Sequence, residues 1–135
     1  MVKVSGAVII ELPKYLNASR FTVANANNIT KGDLLFLVDP NTVSGANLAT
    51  GAAAGVAAED KEAGDGITNI GVHQHGVFDM VAGENGVGVG TLLRISGGNY
   101  VVAATAAQLL SGMVFAKALE LGDANEYIRC RLVGY

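Results

Sequence analysis

The chain has 135 residues, half of them hydrophobic and 16% charged, with a net charge of −3. That length suits a single domain with one core, and the high apolarity and low charge exclude a disordered segment. The nine basic residues are scattered, Lys117, Arg129 and Arg131 being the densest set, so no nucleic-acid partner is expected.

Val2 to Leu12 reads as a strand, with Val2, Val4, Ala7, Ile9 and Ile10 apolar and Pro13 ending the run. Lys14 to Ala18 is a connector. Arg20 to Ala24 is a second short strand, followed by a turn cluster at Asn25 to Asn28. The apolar run Ala7 to Ile10 is too short for a signal peptide, and no segment approaches the roughly 18 apolar residues that span a membrane. The protein is expected to be made and kept in the cytoplasm, or to leave it by a route other than secretion, with no membrane partner.

Displaced by 58 positions, the chain matches itself. Gly32, Leu34 and Leu35 fall on Gly90, Leu92 and Leu93. Asn41 and Val43 fall on Asn99 and Val101, and Val56 and Ala58 on Val114 and Ala116. Glu62, Gly64 and Asp65 fall on Glu120, Gly122 and Asp123, Ile70 on Ile128, and Gly76 on Gly134. With a one-residue shift Phe21 also matches Phe78. These matches define two similar units, about 21–77 and 78–135, behind an N-terminal arm at 1–18.

Each unit repeats one plan. A strand (Asp33 to Val38; Thr91 to Ile95) meets a turn at Asp39-Pro40 or Gly97-Gly98. A return strand follows (Thr42-Val43; Asn99 to Ala103), then an Ala-rich stretch. In the first unit the stretch from Ser44 to Ala54 is expected to be a surface loop. In the second, Ala106 to Leu110 has room for one or two helical turns. A strand closed by a Gly-Asp turn comes next (Gly55 to Ala58; Met113 to Leu119), and a longer strand ends the unit (Ile67 to Phe78; Glu126 to Val133). The expectation is an all-β fold: a single small barrel or sandwich built from two similar units with an extra N-terminal strand. With so few aromatics (four Phe, four Tyr, no Trp), Val, Ile, Leu and Ala must build its core. The apolar excess implies that part of the surface is covered by another protein.

His73 and His75, two apart on a predicted strand, share a face and could form half of a metal site. Gly66, His73, His75, Asp79 and Gly86 resemble the first motif of the cupin family, which would imply a metal-binding enzyme using His73, His75 and Asp79. The Gly66–His73 spacing is one residue too long, Asp79 stands where that family has Glu, and the chain has no third histidine. The repeat places Ile70, Val72 and Gln74 in register with Ile128, Cys130 and Leu132, so these should face the core. His73 and His75 should then point outward with Arg131, and a cation site could only be completed between subunits. Glu59, Asp60, Glu62 and Asp65 lack the alternation of a calcium loop and read as a solvated turn. Gly83 to Gly90 precedes a strand instead of opening a helix, against a nucleotide site. Cys130, alone, reads as a small buried hydrophobe. No catalytic residue, cofactor, metal or small-molecule substrate is expected.

The segments AAEDKEAGDG and GVFDM, and the ending AKALELGDANEYIRCRLVGY, resemble a family of tailed-phage capsid decoration, or cement, proteins. GDLLFLVD and VGTLLRISGGNYVV resemble its paired hairpins, and the resemblance runs from about Ile29 to Tyr135. It implies a small β-barrel bound to the outside of an expanded icosahedral head, commonly as a trimer, with the major capsid protein as partner and the virion exterior as location. Val2, Val4, Ala7, Ile9, Ile10 and Leu12 are the candidates for a capsid or subunit contact, because an apolar strand outside the repeat is a template for sheet extension. An ordinary edge strand of its own barrel is the alternative. A glycan- or receptor-binding module of a phage tail or fibre shares the all-β class, but Tyr15, Tyr100, Tyr127 and Tyr135 are too dispersed to support it strongly.

Overall fold

A computed structural model of the chain describes residues 6–12, 18–45 and 51–133. The strands are β1 (Val8–Glu11), β2 (Ser19–Val23), β3 (Leu34–Asp39), β4 (Thr42–Ser44), β5 (Ala52–Ala57) and β6 (Asn69–His73) in the first half. The second half holds β7 (Val77–Ala82), β8 (Leu92–Gly97), β9 (Tyr100–Ala103), α1 (Ala106–Leu110), β10 (Val114–Ala118) and β11 (Tyr127–Leu132). The fold is all-β, and each unit closes on itself, giving two five-stranded barrels in tandem.

Closure follows the same rule twice. In the first barrel β2 pairs parallel with β4 and antiparallel with β6, while β3 joins β4 to β5 and β5 returns to β6. In the second, β7 pairs parallel with β9 and antiparallel with β11, and β8 and β10 complete the ring in the same order. The registers correct one expected match. Phe21 lies opposite Ile70, and Met80 lies opposite Ile128, so Phe21 corresponds to Met80 and not to Phe78. The cause is a length change: residues 24–33 make a ten-residue link from β2 to β3, whereas 83–91 make a nine-residue link from β7 to β8.

Period-two alternation fills both interiors. Ile128, Cys130 and Leu132 point inward on β11, as do Phe78, Met80 and Ala82 on β7. Phe21, Val23, Leu35, Val43, Ile70 and Val72 fill the first barrel. The second barrel's core continues outward into Leu34, Phe36 and Val56, the opposite face of the first barrel's wall. The run Leu34-Leu35-Phe36 is therefore buried on both sides, which is why it does not alternate.

The barrels are also joined by polar contacts. Asn99 accepts the Leu34 N–H at 3.0 Å through Oδ1 and donates through Nδ2 to Asp33 Oδ1 at 3.1 Å. Ala53 N–H donates to Gly112 O at 3.1 Å. Asn99 sits in the β8–β9 turn with φ 67° after Gly98 at φ 60°, the primed-turn geometry that suits a two-residue hairpin. Its counterpart Asn41, at φ 51°, is exposed. Asn41→Ala is expected to cost about 1 kcal/mol, the price of a left-handed residue with a Cβ. Asn99→Ala should cost about 2–3 kcal/mol, because it also removes the acceptor of the buried Leu34 N–H across the interface. Chemical denaturation of both variants checks the difference.

Two sequence expectations change in detail. The predicted strand from Ile67 to Phe78 is broken, because β6 stops at His73 and the chain bends at His75-Gly76, with Gly76 at φ 123°. β5 begins at Ala52, earlier than the expected Gly55, and residues 46–50 of the expected loop lie outside the described residues. Gly55 is required where β5 passes β6, since a Cβ there would overlap the His73 carbonyl. α1 is a single short helix capped by Thr105 and Gln108 in a reciprocal capping box, with none of its residues buried. Among the described residues no helix is long and apolar enough to cross a membrane.

Candidate interaction surfaces

β1 forms because Val8, Ile9 and Ile10 are β-branched and find an open edge. That edge is the first half of β7, beyond the reach of β9: Val8 pairs with Asp79, Ile9 with Phe78 and Glu11 with Val77, with a bulge between Ile9 and Glu11. The Ala7 N–H donates to Gly32 O at 2.7 Å, so the segment is tied to the first barrel at one end and paired with the second along its length. β1 is the terminal strand of its sheet. Its side chains remain wet: Val8 is 50% exposed, Ile9 38%, Ile10 40% and Leu12 39%.

Of the contact candidates, Ile9, Ile10 and Leu12 carry accessible apolar surface, and Ala7 packs against the core of its own chain. Val2 and Val4 lie outside the described residues. Val8, the most exposed apolar residue of the strand, was not among the candidates. Simple alternation fails here because a strand lying along a barrel's outer edge exposes both faces.

A second apolar patch lies on the loops at one end of the second barrel. Val89 and Leu121 are each 71% exposed, with Leu119 beside them. The loops are held together by the Val87–Gly122 bridge and by the Gly90 N–H donating to Ala118 O at 2.9 Å. The corresponding loops of the first barrel carry Lys31 and the buried Lys61. With Ala63 at the position of Leu121, the first barrel has no large apolar side chain at any of the three positions.

The structure separates the histidines. His73 ends β6, half-buried, with its ring 5.7 Å from that of Phe78. His75 lies past the strand end on the bend and is exposed, so alternation no longer fixes it to the face of His73. Gln74, expected to face the core, is exposed for the same reason; its Oε1 accepts from Ser19 Oγ at 3.1 Å. Asp79 pairs with β1 and β11, its carboxylate 3.7 Å from the Arg129 guanidinium. Among the described residues no three His, Cys, Asp or Glu side chains are placed to hold one metal ion.

Burial lowers the pKa of His73 below the ordinary 6.5, and nearby Lys31 lowers it further. Below about pH 6.5 the unfolded chain therefore binds the proton more readily than the folded one, and stability falls as pH falls. His73→Gln is expected to flatten the loss of stability between about pH 7 and pH 5, measured by denaturation across that range.

The acidic cluster is organised by a residue that sequence reasoning passed over. Glu59, Asp60, Glu62 and Asp65 are exposed, but Lys61 between them is 2% exposed. Its Nζ donates to Asn25 O at 2.7 Å, Glu62 O at 3.1 Å and Asp65 Oδ1 at 3.1 Å. Asp65 also accepts the Ile67 and Glu62 N–H groups, and these bonds together with Lys61 hold its pKa below the usual value. The cluster is a structural clasp around a buried ammonium. Cys130 is fully buried, and burial pushes its thiol pKa up to about 12, so it behaves as a core side chain.

These features define a class: a tandem pair of small five-stranded barrels with an apolar strand on its surface. No protein-family model and no curated protein matches the chain. A solved structure does: the head fiber gp8.5 N base of bacteriophage phi29, at a TM-score of 0.55 and 18% sequence identity, covering 86% of this chain and 92% of that one. The likeness is one of fold.

Proposed function

We propose that this protein is a structural component of a tailed-phage virion that binds the exterior of the expanded head as a trimer and stabilises it, with the major capsid protein as partner. The observation that carries this reading is the tandem-barrel fold shared with nearly the whole length of a phage head-fibre base. The exposed apolar strand β1 supports it, because Val8, Ile9, Ile10 and Leu12 offer surface whose burial favours association. The outer edge of β1 adds main-chain groups that can extend a sheet onto a neighbour. The Val89, Leu119 and Leu121 loops offer a second contact, and two contacts per subunit let one protein bridge two partners.

The mechanism is linkage. A ligand of the expanded shell alone lowers that state's free energy at every occupied site. The role is mechanical and requires no catalytic group.

Co-sedimentation with purified heads tests the reading. The protein should pellet with expanded heads and remain in the supernatant with unexpanded ones. Ile10→Glu, at an exposed position, should weaken binding about tenfold or more without unfolding the chain. Equal binding of the variant would move the contact away from β1, and no pelleting with expanded heads would reject the function.

A further inference from the structure

The two barrels present the same outer face in different states. In the first, the outward side of β3 carries Phe36, 2% exposed and packed with the second barrel's core. In the second, the same position of β8 is Arg94, and the face opens into a cavity of about 590 Å³. Its floor is the outward row of two paired strands: Arg94 and Ser96 from β8, Tyr100 from β9, all half-buried. Its rim carries Glu84, Asn85 and Asn125 from two loops. Arg94 Nη1 lies 3.5 Å from Ile95 O.

In the first barrel this face is covered by the second barrel, whereas among the described residues no barrel covers it in the second, so Arg94, Ser96 and Tyr100 line an open pocket. We propose that it is a binding site for a neutral saccharide of one or two rings. The volume falls in the range of small-ligand sites. Tyr100 supplies a ring against which the apolar C–H face of a sugar can lie. Arg94, Ser96, Asn85 and Asn125 supply donors, and Glu84, Ser96 and the two amides supply acceptors, the mixed set that hydroxyl groups need. One cation and one carboxylate cancel, and the chain's net charge of −3 disfavours a polyanion. The pocket shares no lining residue with β1 or with Val89, Leu119 and Leu121, and the proposal is argued from its lining alone, not from the head-binding reading.

The test is an amide-resolved NMR titration of the full chain with glucose, galactose, rhamnose, N-acetylglucosamine and lactose. At least one should shift the amides of Arg94 to Ser96, Tyr100 to Val102 and Asn125 in a saturable way. Tyr100→Ala and Arg94→Phe should each weaken that binding about tenfold or more. Arg94→Phe removes the guanidinium at a half-buried position, and a dispersed spectrum confirms that the variant folds. Two results overturn the proposal: no pocket amide moving with any of the five sugars, or full binding by Arg94→Phe.

Discussion

Phe36→Ala is expected to cost about 3–5 kcal/mol, measured by urea or thermal unfolding. Phe36 is among the largest fully buried side chains, and it lies in one cluster with Phe78 and Phe115 of the second barrel. Truncation removes its transfer free energy and leaves a cavity between two rigid walls that have little freedom to collapse. Gly51 packs so closely on its ring that a Cβ there would fall 2.8 Å from Cδ1. Because Phe36 lies on the face of β3 opposite the first barrel's interior, the loss should fall on the joint between barrels. Separate unfolding of the two barrels in the variant would show that Phe36 couples them. A loss under about 1 kcal/mol would mean that the joint is loosely packed.

Lys61→Ala is expected to cost about 3–4 kcal/mol, and Lys61→Met about 2 kcal/mol. The ammonium satisfies two backbone carbonyls and one carboxylate while its stem is wholly buried, at 0% side-chain exposure. Methionine keeps the packing of the stem and removes the charged hydrogen bonds; alanine removes both. The main-chain bonds between Ile29 and Lys61, each 2.8 Å, survive either change, so the effect isolates the side chain. The difference between the two variants measures the stem. If Lys61→Met were as stable as the parent, the clasp would only offset the cost of burying its own charge.

Much of the architecture is legible in the sequence, because a closed barrel enforces period two. Ile70 and Val72 correspond to Ile128 and Cys130, and all four are buried as the internal repeat requires. The hairpin turns are legible because Asp39-Pro40 and Gly97-Gly98 are turn dipeptides, and Gly97 and Gly98 do take positive φ. What could not be read has a physical cause in each case. The pairing that closes each unit on itself involves only two residue pairs, Thr22–Thr42 and Val23–Val43 in the first barrel, and leaves no pattern of its own. Leu34-Leu35-Phe36 is apolar throughout, so sequence alone does not say which face meets the other barrel. The bend at His75-Gly76 cuts an apparently continuous strand and undoes the shared face of the histidines. The face that Phe36 turns to the second barrel is left open at Arg94, a difference visible only when the two faces are superposed. For the surface strand, the apolar candidates Ile9, Ile10 and Leu12 were visible as a run, whereas its seat on β7 depends on how far β9 reaches along that strand.

The proposed stabilising role is tested most directly by calorimetry of expanded heads with and without saturating protein. Binding that favours the intact expanded shell must raise the temperature at which the shell opens, and the rise must grow with occupancy. An opening temperature that stays unchanged at full occupancy would contradict the proposed function, whatever the affinity.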